Sequence, residues 1–227
     1  MATAASRLGE RRTNGLETAI VEAARDLVAT DGMHALSMRA VAERVGVSAT
    51  AIYHYFDGKQ ALVDRVVETG FRRVREYLEE AARGHQRGSF ERLVALGEAY
   101  ARFALENREY FRVIFGTHTG HPKVIDDLPA SGGFDLLREC LVNGMASGAI
   151  RPHPSPDLVA IYLWSLVHGL VTLELACVLD APPPPGCPRG ALPGSAVDIF
   201  RAVAPFVAHG LKVAPEGPDT TEVTDQP

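Results

Sequence analysis

Between Ser37 and Leu62 the chain reads SMRAVAERVGVSATAIYHYFDGKQAL, a stretch dense in groups that can touch a polyanion. Thr50 carries a hydroxyl and a methyl, a pair suited to a base edge or a thymine methyl. Tyr53, His54 and Tyr55 bring phenol and imidazole groups that donate to phosphate oxygens, and Lys59 adds a cation a few residues on. Successive helical residues are about 100° apart, so three aromatics in a row cannot all turn inward. Ile52 and Phe56 read as core. Tyr53, His54, Tyr55 and Lys59 are left as an outward grip on nucleic acid, while Ala49, Thr50 and Ala51 are small enough to let the backbone approach a groove floor.

The elements that must position these groups follow from caps and turn residues. Ser37 caps a short helix whose buried stripe is Met38, Val41, Ala42 and Val45, and Gly46 ends it. Ser48 caps the next helix, expected over 48–56. Two short helices joined by RVGVS have the length and turn glycine of a helix-turn-helix, whose second helix enters the major groove. A first helix is expected over 16–30, started by an Asn14/Glu17 capping box and stopped by Gly32, with Ile20, Ala23, Ala24, Leu27 and Val28 on one face. Arg7, Arg11 and Arg12 precede it as a basic arm able to reach phosphates or the minor groove, or as a disordered terminus. Asp57 and Gln60 form a second capping box for a fourth helix reaching about 83. Its RRVREYLEE run reads as a solvated, charge-paired face.

LSMRAVAERVGVSATAIYHYFDGKQALVDRV resembles the DNA-binding region of TetR-family transcriptional regulators, over roughly residues 16–70. Ser37 and Arg39 match the family's Ser/Thr-x-Arg start to its second helix. VGVSATAIYHYF matches the turn and recognition helix, and Lys59 the lysine that follows. The resemblance implies that Ser37, Arg39, Lys59 and the recognition helix, through Ser48, Ala49, Thr50, Tyr53, His54 and Tyr55, meet double-stranded operator DNA. Gly58 departs from the small polar residue common there and leaves capping to Asp57.

Charge supports this division of the chain. Residues 1–75 carry 11 Lys/Arg against 9 Asp/Glu, and residues 76–227 carry 12 against 19, so only the first third favours a polyanion. Helical periodicity continues at about 89–106, 108–116, 132–147, 155–179 and 195–212. The expected fold is all-α: a three-helix DNA-binding unit over 1–60, a larger helical bundle for ligand binding and dimerisation over 61–213, and an acidic tail over 214–227. APPPPGCPRGALPG (181–194) reads as a stiff loop, and Pro205 as a kink in the last helix.

In that bundle YLWSLVHGLVTLEL resembles the Trp/His-Gly helix of one TetR subgroup. Trp164 and His168 are four apart and share a helix face. Two readings fit: a packed core helix with one satisfied histidine, or a wall of an effector cavity. On the second reading Tyr100, Phe103, Phe111, Phe115 and His118 join Trp164 and His168 around a small molecule. Leu158–Leu179 approaches membrane-spanning length, but it lacks basic flanks and holds His168 and Glu174. It is read as a bundle helix buried on most sides.

The family resemblance implies a homodimer through helices near 155–179 and 195–212, both too apolar to face solvent. Cys140, Cys177 and Cys187 lack paired spacing, His118 and His121 lack a third ligand, and no cofactor or metal is implied. Nucleotide, hydrolase and metalloprotease motifs are missing. The expectation is a cytoplasmic repressor, not an enzyme, released from DNA by a small molecule; the rival is a carrier or enzyme using the same cavity.

Overall fold

The computed structural model describes residues 4–115, 133–176 and 194–211, with side chains from residue 15 onward. All helices among them are α-helices: α1 (Ala4–Asp31), α2 (Met38–Val45), α3 (Ala49–Tyr53), α4 (Lys59–Ala82), α5 (Phe90–Glu106), α6 (Arg108–Phe115), α7 (Phe134–Ala146), α8 (Pro156–Leu175) and α9 (Ala196–Leu211). His118, His121, Cys177, Cys187, the proline-rich loop and the acidic tail lie outside the described residues.

The helix-turn-helix forms as its caps require. The Ser37 hydroxyl accepts from the Ala40 N–H at 3.1 Å, and Ser48 accepts from Ala51 at 3.2 Å. Gly46 is left-handed at φ 78°, which lets its own N–H and that of Val47 close on the Ala42 carbonyl. Ile20 and Ala24 of α1, Val41 and Ala42 of α2, and Ile52 and Phe56 around α3 are buried together against Leu62 and Val66 of α4. Val45 is half-buried at the edge of this cluster.

Three boundaries differ from expectation. The first helix begins at Ala4, so the Asn14/Glu17 pair lies inside it, and Arg7, Arg11 and Arg12 ride on a helix rather than an arm. Good helix formers around them continue the helix backwards. Glu17 pairs instead with Arg65 of α4 at 2.5 Å. The third helix stops at Tyr53 instead of 56: His54 and Tyr55 donate three residues back, to Ala51 and Ile52, and this tightening swings Phe56 into the core. Asp57 does not cap the fourth helix. Gly58 holds the cap position with no side chain to offer, and Gln60 donates along the helix to Asp64 at 2.9 Å.

α4 is shared between the two parts. It packs on α1 at one end and on α5 and α6 along its length. The RRVREYLEE run is not merely a solvated face: Arg73 is half-buried, and Arg75 reaches Asp135 of α7 at 2.9 Å. α5 stands between α4 and the remaining helices. Gly97 allows a close approach there: a Cβ would sit 2.3 Å from the Phe200 ring of α9, which would have to shift to admit it. A two-pronged pair from Arg201 to Glu98, at 2.9 and 3.0 Å, holds the same contact from outside. Pro205 lies inside α9, which continues beyond it to Leu211.

α8 overturns one expectation. Only Ala160, Val167 and Val171 are buried, so the described residues do not enclose the helix on most sides. Leu158 and Tyr162 are each 61% exposed, and Phe206 of α9 is 81% exposed. By length and composition α8 could cross a bilayer, with a mean hydropathy of 1.7. Its Glu174 nevertheless accepts from the Ala196 N–H at 2.5 Å, closing the start of α9.

Candidate nucleic-acid interface and ligand cavity

The expected DNA face is an exposed surface built on rigid caps. Ser37, Arg39, Ser48, Thr50, Tyr53, His54 and Lys59 are exposed, and Ala49 is half-buried beneath them. A capping serine accepts through its oxygen and keeps its proton, so Ser37 and Ser48 can each donate outward to a phosphate. Arg39 is held by Glu43 at 3.2 Å, an exposed pair that a phosphate can replace. The Lys59 ammonium donates to the Met33 carbonyl at 2.7 Å, tying the start of α4 to the α1–α2 connection while staying at the surface. The aromatic run splits. Tyr53, at 55% exposure, and His54 point out, whereas Tyr55 is half-buried and packs on the core.

The second site is a cavity of about 90 Å³ among α4, α5, α7, α8, α9 and the end of α6. Every side chain on its described wall is uncharged. Tyr100 supplies the polar point. Its hydroxyl lies 2.8 Å from the His168 Nδ1. Burial pushes the Tyr100 phenol well above its ordinary range, so it stays protonated. His168 is wrapped by Phe115, Phe111, Trp164 and Tyr100, with ring centroids at 4.9, 5.2, 5.7 and 6.2 Å.

The expected effector residues therefore separate. Tyr100, Phe115 and Trp164 line the cavity. His168 and Phe111 form a layer behind them. Phe103 is fully buried against Tyr77 of α4 at 5.6 Å and is not among the residues lining the cavity. His118 lies outside the described residues. Sequence reasoning missed the walls from α4, α7 and α9, such as Phe71, Leu137 and Phe200. Their apolar periodicity announced burial but not what they were buried around.

α6 joins the two sites. Phe111 and Phe115 on it touch the His168 layer, while the guanidinium groups of Arg25 (α1) and Arg73 (α4) pack over the Tyr110 ring, at 4.9 and 4.8 Å from its centroid.

Comparison with known proteins agrees with this division. The model for bacterial regulatory proteins of the tetR family matches residues 20–66, and that for the tetracyclin repressor-like C-terminal domain matches residues 93–186. The HTH-type transcriptional regulator YobS of Bacillus subtilis (strain 168) is 24% identical over 155 residues, 68% of this chain and 76% of its own length. A protein of unknown function from Rhodococcus sp. RHA1 superposes with a TM-score of 0.69 at 28% identity, covering 87% of this chain and 96% of that one. The transcriptional regulator FadR from Bacillus subtilis, in complex with stearoyl-CoA, superposes with a TM-score of 0.67 at 17% identity, covering 85% and 98%, and so shares the fold.

Proposed function

The chain belongs to the TetR family of helix-turn-helix transcriptional regulators, and from that premise we propose a homodimeric repressor that leaves its operator when a small molecule fills the cavity. The observation that carries this reading is the packing of α4, whose first residue belongs to the DNA face and whose Phe71, Val74 and Leu78 wall the cavity. In this reading Ser37, Arg39, Ser48, Ala49, Thr50, Tyr53, His54 and Lys59 meet operator DNA. Tyr55 supports that face from behind. Residues up to about 60 form the DNA unit and 61–213 the regulatory body, with α4 as their shared beam.

The exposed apolar face of α8 and α9 is the dimer surface. Leu158, Tyr162 and Leu166 recur every fourth residue on α8, and Val203 and Phe206 stand on α9. A second copy removes these side chains from water and places two recognition helices on one duplex. They enter successive major grooves only if they stand about 34–36 Å apart. A molecule wedged between α4, α5 and α8 alters that spacing. It acts only through its differential affinity for the two spacings, and a coupling of about 1–3 kcal/mol weakens operator binding roughly 5–150-fold. FadR's bound stearoyl-CoA supports a lipophilic effector.

The test has two stages. Fragments selected from random DNA by the purified protein yield an operator, and lipophilic metabolites are then screened for its release. A protein that selects no sequence is not a regulator of this kind, and the carrier or enzyme reading then takes over.

A further inference from the structure

The cavity wall carries information about what it holds. Its described side chains, contributed by six helices, include no acid, no base and no amide. An ionised group entering it would lose its hydration with no counter-charge among the described residues of the wall, which is strongly unfavourable. Polar recognition is concentrated at Tyr100, whose side chain is 6% exposed. A phenolic hydroxyl has one proton to give and two lone pairs. The bond to the His168 Nδ1 uses either the Tyr100 proton or one of the lone pairs, according to the imidazole tautomer. If the proton goes to His168, a lone pair remains for a ligand hydroxyl. If His168 donates instead, the proton remains for a ligand carbonyl.

We infer that the cavity takes an uncharged lipophile carrying one alcohol or ketone oxygen, and that this oxygen seats against Tyr100. The Tyr100 hydroxyl accepts from the alcohol in one imidazole tautomer and donates to the ketone in the other. Carboxylate, phosphate and ammonium groups do not enter. An acyl thioester of the kind FadR holds could place only its chain within such a wall. The inference rests on the cavity being the effector site only for its regulatory consequence, not for its chemistry.

Rigid hydrocarbon cages test this, because they have no tail by which a charged head could remain outside. Adamantanol, adamantanone, adamantane carboxylate and adamantylammonium are titrated calorimetrically into the full-length protein at neutral pH, without DNA. The alcohol and the ketone are expected to bind at least tenfold tighter than either ion. Tyr100→Phe is expected to weaken both neutral probes roughly three- to tenfold, the scale of one hydrogen bond. Trp164→Phe provides a second variant, which keeps an aromatic wall and the Tyr100 hydroxyl and is expected to keep the preference for the neutral probes. Equal binding of the ions, no binding by any probe, or unchanged neutral affinities in Tyr100→Phe would each overturn the inference. A separate gel-shift titration with adamantanol distinguishes the two readings. Binding that leaves the operator complex intact sinks the effector role and leaves the cavity chemistry standing.

Discussion

The DNA unit and the ligand cavity are both built from helices, yet they place their chemistry in opposite ways. At the proposed DNA face a segment of about two dozen residues supplies nearly every candidate contact group, and most of those groups are exposed, with local caps at Ser37 and Ser48. At the cavity six helices each lend one to a few side chains, nearly all apolar, and nothing local joins Phe71, Gly97 and Phe200. The difference shows how function divides between them. An exposed polar surface can read a charged duplex without folding around it, whereas an uncharged ligand must be enclosed to be recognised. The first site is a face and the second is a volume. Only a change in the volume that moves the face makes a regulator.

The largest expected effect comes from separating two copies. Tyr162→Arg with Phe206→Asp places charges on the exposed apolar face of α8 and α9. Sedimentation should then report monomers. Operator affinity should fall by roughly 10²–10⁴-fold, since the second recognition helix no longer binds as a tethered partner. A dimer that survives both changes would move the interface elsewhere.

Next in size is the DNA face itself. Tyr53→Ala is expected to cost about 1–3 kcal/mol of operator binding, and Lys59→Ala should lower the salt dependence by about one counterion. Thermal stability should change little for Tyr53, which makes no core contact of note. Lys59→Ala also loses its bond to the Met33 carbonyl, so a modest shift in melting temperature accompanies it. A salt slope identical to wild type would remove Lys59 from the DNA contacts.

The cavity predicts a smaller and different signature. His168→Leu keeps the apolar layer between Phe111 and Phe115 but removes the partner of the Tyr100 hydroxyl. Operator affinity without effector should stay within about threefold, while the effector concentration for release shifts by about the worth of one hydrogen bond, 0.5–1.5 kcal/mol. A release curve that coincides with wild type would return His168 to a packing role.

How much of this was legible in the sequence follows from the same contrast. The helix-turn-helix was readable because its signals are local: Ser37, Gly46 and Ser48 act within four residues of where they stand. The errors there were local competitions. The helix formers around Arg11 outweighed the Asn14 cap, and the turn at His54 won over a longer helix so that Phe56 could be buried. In the bundle, the Trp164–His168 pair and Tyr100 were legible as aromatic groups on apolar helices. Phe103 was not, because which face of α5 meets α4 and which meets α8 depends on contacts far apart in sequence. The exposed side of α8 was half-read. Its composition said that it must be covered, and the described helices leave Leu158, Tyr162 and Leu166 exposed.

The smallest effect probes the junction between face and volume. The guanidinium groups of Arg25 and Arg73 both pack over the Tyr110 ring, so one aromatic of α6 ties to α1 and to α4. Its hydroxyl is buried and has no hydrogen-bond partner among the described residues. A buried, unmatched hydroxyl is a cost, so Tyr110→Phe should leave stability unchanged or raise it by up to about 1 kcal/mol. Tyr110→Leu keeps an apolar side chain but removes the face that both guanidinium groups use, a loss of about 0.5–1 kcal/mol for each contact. If the ring links the sites, Phe preserves effector-driven release of DNA and Leu weakens it, even after correction for stability. Melting temperatures and release curves for the pair separate the two contributions. Loss of release in Tyr110→Phe would place the coupling in the hydroxyl, and full release in Tyr110→Leu would show that α4 responds to the cavity directly, through Phe71 and Val74, without α6.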